Sequence, residues 1–169
     1  MTDALKTLLI GIGNPLRGDD GVGWRVAADL AEAAPSDDVE VLCCHQLTPE
    51  LAETLSRVDR AFFIDADVGL APGEVRCTPL GPAPSTEPFS HRLEPAALLG
   101  LAGALYGRCP AAHLVAIGPE SLDAGEGLSA TVERALAAGV RLLYFYIARG
   151  IWCEELGLQL RTKGGNIKI

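Results

Sequence analysis

The run Leu8-Leu9-Ile10-Gly11-Ile12, continued by Gly13-Asn14-Pro15-Leu16-Arg17-Gly18-Asp19-Asp20-Gly21-Val22-Gly23, carries a change of period within sixteen residues. An uninterrupted apolar run of this length reads as a strand buried on both faces. From position 22 the spacing becomes helical: Val22, Val26 and Leu30 share one stripe, Arg25, Asp29 and Glu32 oppose it, and Pro35 ends the segment. Buried strand, glycine-rich turn and amphipathic helix form the repeating unit of an α/β sheet, and the rest of the chain repeats it. Strands are expected at Val39 to Cys44, Arg60 to Ala66 and His113 to Ile117, with a short edge strand at Glu74 to Thr78. Thr48-Pro49-Glu50 has the cap, the first-turn proline and the acid of a helix start. Pro95 to Tyr106 places Leu98, Leu101 and Leu105 on one helical face, and Ser129 caps a helix striped by Val132, Leu136, Val140 and Leu143. The resulting order, βαβαβ(β)αβα, predicts a three-layer open sheet of about five mostly parallel strands.

A chain of 169 residues fits one domain. The α/β pattern fills residues 1–149, and 150–169 is read as a tail of uncertain structure. Within the first of these lies a segment, 79–95, with prolines at 79, 82, 84, 88 and 95, expected to be a long loop of the kind that often carries function. Acidic residues outnumber basic ones by 22 to 14, and a formal net charge of −8 disfavours a phosphate backbone as partner. No segment has the build of a secretory signal and no apolar run reaches bilayer length, so a cytoplasmic protein without a membrane partner is expected. Cys43, Cys44, Cys77, Cys109 and Cys153 include no C-x-x-C pair. The adjacent Cys43 and Cys44 suit buried thiols better than a disulfide.

In an open parallel sheet, ligands bind at the carboxyl ends of the strands. Asp19 and Asp20 follow the first strand there, His45 the second, Asp65 closes the third, and Glu120 follows the last; His91 lies in the proline-rich loop. Carboxylates and imidazoles together are metal-type ligands. Gly11-Ile12-Gly13 invites a dinucleotide reading, but Leu16 stands where the fingerprint needs glycine and two aspartates would face the pyrophosphate. There is no G-x-x-x-x-G-K-[ST] loop either. One aspartate of the pair suffices to cap the next helix, and Asp19 is assigned that task, which leaves Asp20 free for chemistry. Asp65 is the first polar residue after Phe62-Phe63-Ile64 and is expected half-buried at the ligand edge; Asp67 reads as a solvated loop acid and His113 as structural.

Four blocks carry a resemblance. Gly11-x-Gly13-Asn14-x-x-x-x-Asp19-Asp20-Gly21-x-Gly23 resembles the opening motif of the hydrogenase maturation endopeptidases. Phe63-Ile64-Asp65-Ala66 is similar to the strand that delivers their second acidic ligand, and Ser90-His91 to the segment with their metal-binding histidine. Gly118-Pro119-Glu120-Ser121 and Gly127-Leu128-Ser129 resemble their late strand, loop and helix. Together the blocks run in family order from residue 7 to about 143. The resemblance implies a three-layer α/β/α sandwich around a twisted sheet. It implies an endopeptidase that removes a C-terminal extension from a nickel–iron hydrogenase large-subunit precursor after nickel insertion. It also implies that Asp20, Asp65 and His91 are the metal-binding and catalytic residues, the metal being nickel supplied by the substrate or a zinc or other divalent ion. His45-Gln46-Leu47-Thr48-Pro49 replaces the Gly-Thr turn common after the second strand, and Leu93-Glu94 replaces a glycine common after the histidine, which suggests a branch with its own substrate.

Two rivals compete with this expectation. A peptidyl-tRNA hydrolase shares the opening Gly11-Ile12-Gly13-Asn14-Pro15, but the chain lacks the T-R-H-N segment and the basic surface that a tRNA requires. A nickel-handling or scaffold protein that keeps the metal site without cutting is the other, and a processing assay separates it from a protease.

Overall fold

The structure is a computed structural model, and it describes residues 5–33, 36–84, 92–137, 161–163 and 166–168. Five strands, β1 (Thr7–Ile12), β2 (Val39–Cys44), β3 (Arg60–Ala66), β4 (Val75–Leu80) and β5 (Ala111–Ile117), form one sheet in the order β2-β1-β3-β5-β4. Neighbours pair in parallel except β4, which runs antiparallel to β5. Helices α1 (Val22–Ala33), α2 (Leu51–Leu55) and α3 (Pro95–Tyr106) cover the sheet together with a helix that begins at 130.

Two apolar clusters show why the first strand is uninterrupted. Leu9 packs with Val26, Leu30, Phe62, Ile64, Val115 and Val132, whereas Leu8 and Ile10 pack with Leu55, Phe63, Leu98, Leu99 and Ala102. Alternate residues of β1 and β3 thus enter opposite layers, α1 and the helix from 130 on one side, α2 and α3 on the other. Each fully buried Leu, Ile or Phe contributes roughly 1.5–3 kcal/mol, so these central strands anchor both layers.

The expected three-layer α/β sheet of five mostly parallel strands is observed, with local differences. β2 is an edge strand, which leaves Cys43 exposed and Cys44 only half-buried rather than both buried. β4 continues through Pro79 to Leu80, beyond the expected Thr78, because an edge strand tolerates a residue without an N–H. On α3 the buried residues are Ala97, Leu98, Leu99 and Ala102, while Leu105 is 64 % exposed, so the face expected from Leu98, Leu101 and Leu105 is rotated. α2 starts at Leu51, three residues beyond Thr48, after a turn in which the Leu51 N–H donates to the Thr48 carbonyl at 3.1 Å. Ser129 caps as expected, its hydroxyl accepting the Val132 N–H at 3.3 Å, and Val132 and Leu136 are buried; Val140 and Leu143 lie outside the described residues. Within the expected tail, Arg161–Lys163 (β6) and Asn166–Lys168 (β7) pair antiparallel, and β6 lies beside β4.

The order β2-β1-β3 places a topological switch between β1 and β3. From β1 the chain crosses to one side to make β2, then returns past it to make β3 on the other. The crevice at the carboxyl ends of β1 and β3 is where such a sheet accepts a ligand.

Candidate active site

The two strands flanking that crevice end in carboxylates. β1 runs into a loop and then a 3-10 turn, Gly18–Gly21, that holds Asp20. Gly13 makes the first bend at φ 131°, and a Cβ there would lie 1.8 Å from the Asp20 carbonyl oxygen, so the loop can fold this tightly only over glycine. The Asn14 N–H donates to Asp20 Oδ2 at 3.0 Å, which fixes the carboxylate against the loop. Gly23 permits another close approach, but to the protein itself: a Cβ there would lie 2.3 Å from the Ile64 carbonyl oxygen, so the start of α1 rests directly on β3.

Asp65 is the penultimate residue of β3 and is half-buried, as its place in the sequence predicts. Burial pushes its carboxyl up to about 6. The Arg92 guanidinium and the Ala66 N–H oppose this rise, whereas the negative charges of Asp20 and Glu94 add to it. Arg92 Nη2 lies 3.5 Å from Asp65 Oδ2, and the Ala66 N–H donates to Asp65 Oδ1 at 2.8 Å. Asp20 and Asp65 therefore share one electrostatic environment, with Glu94 as a third acid and Arg92 as the cation beside them. His91 lies outside the described residues; its chain neighbour Arg92 reaches Asp65. Among the described residues no group of three or more potential ligands gathers closely enough to hold a metal ion.

Asp19 does something other than the expected capping of α1. It is 1 % exposed, and its carboxylate accepts N–H bonds from Glu120 at 2.8 Å, Ser121 at 3.1 Å and Ser129 at 2.7 Å. Burial would raise its pKa, but the Ser129, Ser121 and Glu120 donors and the Ser129 hydroxyl outweigh that and hold it below the ordinary value. No local pattern announces these donors, because they come from more than a hundred residues away. Glu120 contributes its backbone to this cluster while its exposed side chain accepts from the Thr131 hydroxyl at 3.0 Å.

The remaining candidates sit around the crevice. His45 is exposed and meets Trp24 edge to face at 5.4 Å, and the Trp24 indole N–H donates to the Cys44 carbonyl at 3.1 Å. Asp67 is an exposed loop acid that accepts from the Gly69 N–H at 2.8 Å, as expected. His113 is buried and stacked on Phe62 at 5.6 Å, in the structural role expected of it. Arg92 has no signal in the sequence beyond its nearness to His91 at the end of the proline-rich segment, and Glu94 stands out there only in the Leu93-Glu94 replacement, not as a site residue.

No protein-family model and no curated protein matches the chain. Solved structures do. The hydrogenase maturating endopeptidase HybD from E. coli matches with a TM-score of 0.65 at 26% identity, over 86% of this chain and 94% of that one. HybD from Thermococcus kodakarensis, a [NiFe] hydrogenase maturation protease, matches with a TM-score of 0.63 at 26% identity, over 85% and 99%. The hydrogenase 2 maturation peptidase from a Thaumarchaeota archaeon matches with a TM-score of 0.62 at 27% identity, over 87% and 99%. These matches cover 85–87% of this chain and 94–99% of the enzymes and agree with the order of the four sequence blocks, so the chain shares the fold of the hydrogenase maturation endopeptidases and resembles that family.

Proposed function

We propose that this protein removes a C-terminal extension from the large-subunit precursor of a nickel–iron hydrogenase after nickel insertion, with Asp20, Asp65 and His91 as the working residues. The observation that carries the proposal is the pair of carboxylates at the switch point. Burial and the neighbouring charge of Asp20 hold Asp65 at about 6, within reach of neutral pH. Before a divalent ion neutralises the pair, a carboxyl so poised is mostly ionised at pH 7 yet basic enough to take a proton from a water molecule.

The donor set is compatible with the nickel of the precursor, which is part of the substrate. Asp20 and Asp65 repel one another and already have one cation, Arg92, beside them. Two carboxylate oxygens with the imidazole expected from His91 suit nickel, zinc or another divalent ion. Such an ion would polarise the scissile carbonyl. The protein's own part is to hold the peptide against the crevice and to move one proton. Asp65 accepts it from the attacking water and returns it to the departing amine nitrogen, so that the carboxylate is regenerated as the peptide bond breaks. Four described cysteines, Cys43, Cys44, Cys77 and Cys109, are free thiols, and the exposed Cys43 among them supports a reducing, cytoplasmic setting.

The test is cleavage of the nickel-loaded cognate precursor, followed on a gel. Asp20→Ala, Asp65→Ala and His91→Ala should each abolish cleavage and leave the far-ultraviolet dichroism unchanged. Wild-type cleavage by Asp65→Ala or His91→Ala would overturn the assignment. Binding of the nickel-loaded precursor without any cleavage by the parent protein would identify a nickel-handling protein instead.

A further inference from the structure

Asp20 occupies a short turn with no long element to stiffen it, so something else must set the direction of its carboxylate. The turn's hydrogen bonds show what does. Asp19 gives one oxygen to the Glu120 and Ser121 N–H groups and the other to the Ser129 N–H. Its own N–H donates to the Ser121 carbonyl at 3.0 Å, the Gly18 N–H donates to the Gly125 carbonyl at 2.8 Å, and the Gly125 N–H returns to the Leu16 carbonyl at 2.9 Å. The loop from 120 to 129 thus grips the turn through side chain and backbone together. On the other side, the Asp20 N–H donates to the Arg17 carbonyl at 3.1 Å and the Asp20 carboxylate accepts the Asn14 N–H. Asp19 looks inward to the late loop, and Asp20 is held against the first loop, toward the crevice it shares with Asp65.

We infer that Asp19 is a positioning residue for the cleavage reaction, tying the late 120–129 loop to the opening turn so that Asp20 is presented to the substrate in one orientation. This rests on the reading of Asp20 as a working residue, and it adds a role that the ligand set does not contain. Helix capping would need a single donor and would leave catalysis alone. Three donors from two separate stretches, converging on a carboxylate that is 1 % exposed, form instead a joint between the first and last parts of the domain. The orientation of a reacting group is worth more to turnover than to substrate binding.

The test separates turnover from stability. Asp19→Asn keeps the shape but turns an amide NH2 toward backbone donors. At a temperature where the variant is folded by circular dichroism, kcat on the nickel-loaded precursor should fall by about tenfold or more while KM stays within about twofold. Val132→Ala, which trims a buried side chain of the helix that Ser129 starts and leaves the Val132 N–H on the Ser129 hydroxyl in place, should lower the melting temperature and leave kcat unchanged. Ser121→Pro, which removes one of the three donors and keeps the carboxylate, should lower kcat in the same direction by a smaller factor, and it decides the matter if Asp19→Asn does not fold. Wild-type kcat in a folded Asp19→Asn, whatever its melting temperature, or a change confined to KM, overturns the positioning role. Cleavage by Asp20→Ala would bring down the reading of the site itself. An inert Asp20→Ala beside a fully active Asp19→Asn removes only the role of Asp19.

Discussion

At Asp65 ionisation costs the folded state free energy, because burial takes the carboxylate from water and places it beside Asp20. Its pKa is raised from 3.8 to about 6, so the stability contributed by the neutral form is complete below about pH 4 and is lost as the pH rises through 6. Asp65→Asn, uncharged throughout, should therefore be more stable than the parent at pH 7.5 by about 2 kcal/mol, and the gain should vanish near pH 4. Urea melts at both pH values check this; equal stability at pH 7.5 would show that the site does not strain the carboxylate. Asp19 behaves in the opposite sense. Its pKa is lowered by the N–H donors around it, so its contribution is present above the ordinary carboxylate range and disappears as the pH falls below it. Asp19→Ala leaves three backbone donors without their acceptor and should cost about 3 kcal/mol or more at pH 7, above the range of about 0.5–2 kcal/mol that a helix cap would give. The placement of Asp20 and Asp65 beyond and at the carboxyl ends of β1 and β3 was legible in the sequence because strand exits are local features. The role of Asp19 was not, since its partners are backbone atoms that any residue carries.

Among the elements, legibility followed the contrast between faces. β1 and β3 show none and were read correctly as doubly covered, and α1 shows a clean polar face that the structure leaves in solvent. α3 is apolar nearly all round, so its sequence offers several possible stripes, and the one that packs contains Leu98, Leu99 and Ala102. Leu99→Ala should cost about 2–5 kcal/mol, whereas Leu105→Ala should stay within about 0.5 kcal/mol, although both remove the same atoms. Thermal melts that rank the two variants the other way would contradict the packing of α3. β2 is mostly apolar like β1 but carries Glu40 at mid-strand, and the pairing order shows it to be an edge.

For the molecule as a whole, the site is acidic and has, among the described residues, the Arg92 guanidinium beside it, so productive binding of the precursor should depend on the charge that the precursor brings. Cleavage should require nickel in the precursor; efficient trimming of a nickel-free precursor by metal-stripped enzyme would count decisively against recognition through the metal. The β6–β7 hairpin lies beside β4, the outer strand of the sheet, in a part of the chain where no pattern was visible. Deleting residues 161–169 should lower the melting temperature by about 2–4 °C, equivalent to about 1 kcal/mol for a domain of this size; an unchanged melt would show that the hairpin adds nothing.

The bond from the Ser129 N–H to Asp19 spans 110 residues, and this distance has a consequence during synthesis. Asp20 leaves the ribosome early, but its neighbour's clamp cannot close until residues 120–129 have followed. At about 5–20 residues per second this takes several seconds or more. A nascent chain, or one truncated before Ser129, would carry both carboxylates and still lack the joint that aims Asp20, so proteolytic competence arrives only when the sheet is nearly whole.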